Sequence, residues 1–193
     1  MQLLEERILR DGKVAPGNVL RVDSFINHQM DILFMEKLAK EFKRRFGDKP
    51  VDKILTIEAS GIAIATLVAQ QYGVPLVSAK KSKSSNLPDN IYTCPVKSYT
   101  HGNTNTVLVT QDYLKAGENV LIIDDFLAHG EALKGLMNLV AQAGGNVVGA
   151  GIVVEKAYQH GADDLRASGV QIESLARVAS MDAATGTVEF IPD

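Results

Sequence analysis

The sequence contains no tryptophan, and aromatic residues make up only 6% of its 193 residues. Proteins that bind single-stranded nucleic acid commonly stack the bases on aromatic side chains, so this shortage argues against such a surface. The net charge of -3 also argues against a basic surface that extends over the whole chain. We therefore expect no nucleic-acid partner.

Cysteine is equally scarce, because Cys94 is the only one. A single cysteine cannot form a disulfide within the chain, which suits a reducing compartment. Residues 1–13 mix acidic and basic side chains and contain neither a signal-peptide core nor a long apolar span. These absences predict a cytoplasmic protein with no membrane partner.

Apolar residues make up 46% of the sequence, which is enough to bury a core. The length suits a single domain over residues 1–193. Residues 2–10 are predicted to form a short helix that stops at Gly12, and residues 18–22 a strand. Asp31 is predicted to cap an amphipathic helix that ends before Gly47. Its apolar side comprises Ile32, Met35, Leu38, Ala39, Phe42 and Phe46.

A regular alternation of strands and helices follows. Apolar strands are predicted at residues 53–57, 76–79, 120–123 and 147–154, with helices at residues 61–72 and 131–142. Continuous apolar strands that alternate with helices are typical of a parallel sheet covered by helices on both faces. We therefore predict an α/β fold.

One insertion interrupts this alternation. Residues 80–90 are polar, basic and aperiodic, and residues 91–98 and 106–110 alternate like the two strands of a hairpin. A long polar loop beside an antiparallel hairpin predicts a flexible hood that closes over an active site. An ordinary surface excursion explains the same pattern.

The segment with the clearest chemical content is residues 120–132, where an apolar strand leads to Asp124 and Asp125, then to a glycine-containing turn and a helix. Ligands of open α/β sheets bind at the carboxyl ends of the strands. Free amides at a helix start suit a phosphate, and the two carboxylates suit hydroxyl groups. A sugar phosphate fits this pattern, but a helix cap beside a solvated acid would fit it too.

The same segment resembles the signature for phosphoribosyl pyrophosphate (PRPP) in type I phosphoribosyltransferases. Residues 20–31, 56–61, 153–156 and 173–178 narrow the resemblance to the bacterial xanthine phosphoribosyltransferases, in register from the first helix to about Val178. The resemblance implies the type I fold, a homodimer and purine salvage. The implied reaction transfers the 5-phosphoribosyl group of PRPP to xanthine and gives xanthosine 5'-monophosphate and pyrophosphate.

The resemblance also assigns roles to individual residues. Asp124 and Asp125 would face the ribose hydroxyls as the catalytic pair, and about residues 1–30 would contribute to the purine-binding hood. The remaining PRPP contacts would be Glu58, Ala59, Ser60 and Gly61 near the pyrophosphate, Ala128, His129, Gly130, Glu131 and Ala132 around the 5-phosphate, and Lys81 with Lys83 in the hood. The purine contacts would be Leu20, Asn27 and Lys156.

The turn after the acids departs from the family. Many type I enzymes have Thr-Gly-Gly-Thr there, whereas this chain has Ala-His-Gly-Glu-Ala at residues 128–132. Two hydroxyl donors are therefore absent, and Glu131 brings a negative charge close to a phosphate. We expect the Glu131 side chain to point away from the ligand.

The nature of the base follows from donors and acceptors. A lysine only donates hydrogen bonds, so Lys156 beside position 6 favours a carbonyl over the amino group of adenine. Asn27 suits a second carbonyl at position 2, as in xanthine, but its amide in the flipped orientation would equally accept from the amino group of guanine. A hypoxanthine–guanine or an adenine phosphoribosyltransferase is the alternative enzyme.

A PRPP-sensing regulator is the non-enzymatic alternative. Such a repressor needs an added DNA-binding unit, and the residues before Asn27 contain one short helix without a basic face. The four histidines lack metal-ligand spacing, so no protein-bound metal is expected. Mg²⁺ is expected to arrive with the pyrophosphate.

Overall fold

The computed structural model describes residues 1–82, 89–97 and 104–192. Residues 83–88 of the predicted hood, including Lys83, lie outside the described residues, as do residues 98–103 of the predicted hairpin. Five α-helices and ten strands form the described part of the chain. The helices are α1 (Gln2–Asp11), α2 (Ile32–Phe46), α3 (Gly61–Tyr72), α4 (Glu131–Ala143) and α5 (Asp163–Ala167). The strands are β1 (Lys13–Ala15), β2 (Val19–Arg21), β3 (Lys53–Ile57), β4 (Leu76–Ala79), β5 (Ile91–Lys97), β6 (Thr104–Thr110), β7 (Asn119–Leu127), β8 (Asn146–Lys156), β9 (Ile172–Asp182) and β10 (Thr187–Phe190).

The central sheet has six strands in the order β10-β9-β8-β7-β3-β4. Four pairings place β4, β3, β7, β8 and β9 parallel to one another, and β10 joins the edge antiparallel to β9. The predicted parallel sheet is thus confirmed, with one antiparallel edge strand added. The carboxyl ends of β3, β7 and β8 meet at one edge.

The sheet separates two apolar cores. Along β7, Leu121 and Ile123 enter the core beneath α1, α2 and α3, whereas Val120 and Ile122 enter the core beneath α4. This division follows from the two-residue period of a strand, which sends successive side chains to opposite faces. The predicted helical cover on both faces of the sheet is therefore confirmed.

Most local predictions match the structure. The bounds of β3, α3 and β4 agree with the sequence pattern. The carboxylate of Asp31 accepts a hydrogen bond from the Phe34 amide at 3.1 Å and so caps α2. Ile32 differs from the prediction, since it is 52% exposed because it occupies the first turn outside the buried stripe. Two strands run past their predicted ends: β7 continues through both acids to Leu127, and β8 continues to Lys156.

The hairpin of β5 and β6 forms its own two-stranded sheet. One bridge between Lys80 and Leu108 connects it to the end of β4. The hairpin packs on α4, where a Cβ at Gly135 would lie 2.4 Å from the Val96 Cγ2 atom. The absence of a side chain at Gly135 therefore lets the hairpin approach the helix that follows the glycine-containing turn.

None of the helices in the described part of the chain is long and apolar enough to cross a membrane.

Candidate active site

A cleft opens at the carboxyl edge of the central sheet. It lies between the ends of β3, β7 and β8 on one side and the hairpin on the other. Its lining comprises Ile57, Ser60, Lys81, Val96, Lys97, Asn105, Val107, Asp124, Asp125, Phe126, Leu127, Ala128, His129, Gly130, Glu131, Ala132, Leu133 and Ile152. The acid pair, the turn of residues 128–132 and Lys81 thus share one cleft.

Asp125 links three separate segments of the chain. Its Oδ2 atom accepts a hydrogen bond from the Asn27 Nδ2 atom at 3.1 Å, and its Oδ1 atom accepts one from the Ser60 hydroxyl at 3.0 Å. Asp125 is only 5% exposed. Two donors therefore orient a nearly buried carboxylate at the floor of the cleft.

Asp124 has a different environment. Its Oδ1 atom accepts a hydrogen bond from the backbone amide of Asp125 at 2.9 Å, and the residue is 8% exposed. Burial, followed by the negative charge of Asp125, raises the pKa of Asp124 well above its ordinary value. A buried acid beside a second acid is costly to ionise, and such a pair is typical of a functional site.

The start of α3 lies directly against Asp124. A Cβ atom at Gly61 would lie 2.7 Å from the Asp124 Oδ1 atom and 2.3 Å from the Thr56 Oγ1 atom. Neither distance is compatible with a side chain, so position 61 needs glycine for close approach. Thr56 is fully buried, and its hydroxyl has no hydrogen-bond partner among the described residues.

The loop between β3 and α3 contains a cis peptide bond between Glu58 and Ala59. The Glu58 carboxylate accepts hydrogen bonds from the Lys80 ammonium at 3.1 Å and from the Lys81 amide at 2.8 Å. Burial alone would raise the pKa of Glu58, but these two donors outweigh it and hold the pKa below its usual value. Glu58 therefore connects this loop to the residues that follow β4.

The turn of residues 128–132 joins β7 to α4, and we call it the phosphate loop. Gly130 has φ of 80° and precedes the first residue of α4. The backbone amides at this helix start suit an anion. The Glu131 carboxylate lies 3.5 Å from the Lys134 ammonium, one turn along α4, so its charge is partly balanced within the helix.

The three predicted purine contacts lie outside the described lining of this cleft. Asn27 reaches it through the hydrogen bond to Asp125. The Lys156 ammonium makes a long contact of 3.5 Å with the carbonyl oxygen of Asn18, two residues before the buried Leu20. Burial lowers the pKa of Lys156. Lys156 and the segment around Leu20 thus form a second group of predicted contacts, outside the lining of the cleft.

Several residues of the cleft were missed by sequence reasoning. Val96, Lys97 and Asn105 enter it from the hairpin, and Thr56 lies beneath Gly61. Alternation predicted the hairpin strands, but nothing local indicated which side chains would face the acids. The packing of the hairpin on α4 brings these side chains to the cleft.

Among the described residues, no group of three or more histidine, cysteine, aspartate or glutamate side chains could hold a metal ion. The oxygen atoms of Asp124 and Asp125 are of the type that Mg²⁺ accepts. This donor set fits a cation whose other ligands are phosphate oxygens and water.

Comparisons with known proteins agree with this geometry. The family model of the phosphoribosyl transferase domain matches residues 25–179. A xanthine phosphoribosyltransferase of Lachnoclostridium phytofermentans is 52% identical over 193 residues, which cover all of both chains. A xanthine phosphoribosyltransferase of Bacillus cereus is 49% identical over 191 residues, covering 99% of this chain and 96% of the relative.

Solved structures with the same fold are more distant in sequence. The adenine phosphoribosyltransferase of Rhodothermus marinus has a TM-score of 0.74 at 22% identity, covering 91% of this chain and 98% of the other. The enzyme of that name from Trypanosoma brucei has a TM-score of 0.76 at 19% identity, covering 90% and 79%. At these identities the likeness concerns the fold alone.

Proposed function

The chain belongs to the phosphoribosyl transferase domain family, and from that premise we propose that it transfers the 5-phosphoribosyl group of PRPP to xanthine, giving xanthosine 5'-monophosphate and pyrophosphate. The observation that carries the proposal is one cleft that contains both the acid pair of β7 and the phosphate loop. The names of the relatives at about half identity supply the preference for xanthine.

PRPP has three parts, and the cleft offers a matching group for each. The 5-phosphate binds the backbone amides of the phosphate loop, Ala128 to Ala132. The ribose hydroxyls donate to Asp124 and Asp125. The pyrophosphate lies by residues 58–61 at the start of α3, within reach of the Lys81 ammonium.

The reaction needs positioning and electrostatics more than covalent chemistry from the protein. The bond between C1 of the ribose and the pyrophosphate oxygen breaks, and both electrons leave with the pyrophosphate. Positive charge develops on the ribose ring, and a purine nitrogen attacks C1 from the opposite face. The carboxylates of Asp124 and Asp125 stabilise the developing charge, because they lie in a site of low polarity.

Mg²⁺ bound together with the substrate would neutralise negative charge on the pyrophosphate. The acid pair is the part of the described site with suitable oxygen ligands.

The base is recognised next to the acid pair. The Lys156 ammonium donates to the oxygen at position 6, and the lowered pKa of this lysine reflects its half-buried setting. The Asn27 amide has two N–H donors and one carbonyl acceptor. Its hydrogen bond to Asp125 uses one N–H donor. The remaining groups of the same amide are available for position 2 of the base, so Asn27 connects the ribose site to the base.

A direct assay tests the proposal. The protein is incubated with Mg²⁺, PRPP and one base at a time, namely xanthine, guanine, hypoxanthine or adenine, and the nucleotide formed is measured. We expect the highest kcat/KM with xanthine. If kcat/KM is highest with guanine, hypoxanthine or adenine, that base replaces xanthine as the proposed substrate. If no base gives a nucleotide, the proposed transfer reaction is refuted.

We also propose that the enzyme is a cytoplasmic homodimer. Cys94 forms no disulfide, which suits a reducing compartment. Large apolar side chains at the start of α2 are exposed, with Leu33 at 74%, and a second copy would cover such a surface. Light scattering on a sizing column should give the mass of two chains; a monomer would contradict the dimer but not the activity.

A further inference from the structure

The segment of residues 160–166 packs against the back of the phosphate loop. It contains His160, Gly161, Ala162 and the first four residues of α5, and we call it the buttress. It shares no residue with the lining of the cleft, and the family resemblance gave it no role. Its contacts nevertheless concern the backbone of the phosphate loop.

Gly161 makes the closest approach. A Cβ atom there would lie 2.1 Å from the Ala128 carbonyl oxygen, 2.5 Å from the His129 carbonyl carbon and 2.6 Å from the Gly130 nitrogen. All three are backbone atoms of the phosphate loop, so they cannot rotate away as a side chain would. Any side chain at position 161 must therefore displace the loop or the turn.

The fit is reciprocal. A Cβ atom at Gly130 would lie 2.3 Å from the carbonyl oxygen of Gly161. Gly130 also needs its left-handed conformation, with φ of 80°. Two glycines from separate segments thus allow two backbones to touch at the point where the anion-binding amides begin.

The other end of the buttress is anchored in the sheet. The Arg166 guanidinium forms two hydrogen bonds with the carboxylate of Glu155, at 2.8 and 2.6 Å, and Glu155 is 1% exposed. Burial alone would raise the pKa of Glu155, but Arg166 and the Ser174 hydroxyl outweigh it and lower the pKa. Bidentate pairs of this kind restrict orientation as well as distance.

Glu155 lies in β8, between β7 and β9. It lies opposite Leu127 of β7, the residue before the phosphate loop, and opposite Arg177 of β9. The Arg177 guanidinium lies 3.5 Å from the same carboxylate. The ion pair therefore ties α5 to the strand next to the one from which the loop emerges.

We infer that Gly161 and Arg166 are positioning residues for the phosphate loop. Arg166 holds α5 on Glu155, and the backbone of Gly161 packs against the backbone of the loop and so fixes the conformation that receives the 5-phosphate. The inference rests on the proposed function, which assigns the 5-phosphate to this loop. Neither residue touches the substrate. Their loss should therefore weaken recognition of the 5-phosphate and leave the pyrophosphate contacts at the start of α3 intact.

The test uses two fragments of PRPP as calorimetric probes, ribose 5-phosphate and pyrophosphate, each with Mg²⁺. Gly161→Ala should raise the Kd for ribose 5-phosphate about ten- to hundredfold, because a displacement of about 1 Å can cost that much. The Kd for pyrophosphate should stay that of the parent. The matched control is Gly169→Ala at the far end of α5, where φ is +91° but a Cβ meets nothing within 4 Å; it adds backbone strain without touching the loop.

A second pair of variants does not depend on the folding of Gly161→Ala. Arg166→Gln should weaken ribose 5-phosphate binding relative to pyrophosphate binding, and Arg166→Lys should restore part of it by returning the charge without the planar fork. A variant that is merely less stable would bind both probes less well.

The binding results distinguish a failure of the 5-phosphate assignment from a failure of the positioning role of Gly161 and Arg166. If the parent binds pyrophosphate but not ribose 5-phosphate, the 5-phosphate assignment of the loop fails, and the inference fails with it. If the parent binds both probes and the Gly161 and Arg166 variants bind ribose 5-phosphate like the parent, or lose both probes equally, only the inference is overturned.

Discussion

Asp124 and Asp125 are neighbours in β7, yet they differ in how their carboxylates are supported. Asp125 accepts hydrogen bonds from the Asn27 amide and the Ser60 hydroxyl. Asp124 accepts one from a backbone amide and lies against Gly61. The raised pKa of Asp124 means that the folded protein holds a proton on this group more tightly than the unfolded chain does.

This difference predicts an unusual result for Asp124→Asn. For an acid with a raised pKa, the free energy of unfolding falls as the pH rises from its ordinary pKa of 3.8 to its folded pKa. Asparagine avoids that loss, so the variant should melt at or above the parent's temperature at neutral pH while losing PRPP turnover. Melting curves at several pH values should show the advantage growing with pH across that window.

Asp125→Asn serves as the matched variant. It also removes a charge that would face the ribose in the proposed site. The NH2 group of the new asparagine would point at one of the two donors, the Asn27 amide or the Ser60 hydroxyl. We expect it to lose PRPP turnover and to melt below Asp124→Asn. Parent-like turnover of PRPP by both variants would show that the acid pair is not the ribose site.

Lys156 and Asn27 should affect base choice in different ways. Losing a charged hydrogen bond to the oxygen at position 6 costs about 1.5–3 kcal/mol. Lys156→Ala should therefore lower kcat/KM roughly ten- to hundredfold for xanthine, guanine and hypoxanthine alike. The three bases share that oxygen.

Asn27→Ala should instead be most harmful with xanthine and least harmful with hypoxanthine, which has no group at position 2. Because Asn27 also donates to Asp125, we expect a smaller loss with PRPP that is common to all bases. Measuring kcat/KM for the three bases in both variants separates the patterns. Equal losses for every base in Asn27→Ala would remove Asn27 from base recognition.

At the scale of elements, the site depends on how closely α3 approaches β3 and β7. Gly61→Ala would place a methyl group against the Thr56 hydroxyl and the Asp124 carboxylate. We expect the start of α3 to move away and the KM for PRPP to rise by about tenfold or more, since positioning errors near 1 Å carry such costs.

The double variant Gly61→Ala with Thr56→Ala removes the nearer of the two oxygens. Recovery should be partial, because the contact with Asp124 remains. Kinetics of the two single variants and the double variant form a cycle that measures the coupling. Strictly additive effects would show that the two positions do not share the predicted contact.

The elements that the sequence predicts well are those with one uninterrupted pattern. Residues 53–57, 61–72 and 76–79 have the predicted bounds because each has a continuous apolar pattern, and Gly73 and Pro75 separate the helix from the second strand. β9 was not predicted, because Glu173, Ser174 and Arg177 break its apolar run. These polar groups form hydrogen bonds with residues of other segments; for example, the Ser174 hydroxyl donates to the Glu155 carboxylate. No local sequence pattern predicts such partners.

The same reason limits prediction of the site. The acids and the phosphate loop follow one another in a strand–turn–helix segment, so residue types and spacing alone suit a phosphate ester, but they suit a helix cap beside a solvated acid as well. Asn27 was identified as a site residue only through the family resemblance, because its partner Asp125 is 98 residues away in the sequence. Gly161 could not be predicted at all, because its importance is a backbone contact that only the folded chain shows.

At the scale of the whole molecule, PRPP should stabilise the fold. A ligand that binds only the native state adds about 2.7 kcal/mol at a concentration of 100 times its Kd. For a domain of this size that corresponds to a rise in Tm of roughly 5–10 °C with Mg²⁺ and PRPP. Asp125→Asn should show little of this shift, and an equal shift in that variant would place the ligand elsewhere.

The hydrogen bond between Asn27 and Asp125 has a consequence for synthesis on the ribosome. The chain between the two partners takes about 5–20 s to make at roughly 5–20 residues per second. Throughout that interval the nascent chain has one side of the proposed ribose site without the other, and the Gly161 turn follows later still. On the proposed assignment, PRPP would therefore not stabilise an incomplete chain, because its binding site would be complete only when synthesis has passed the end of β8.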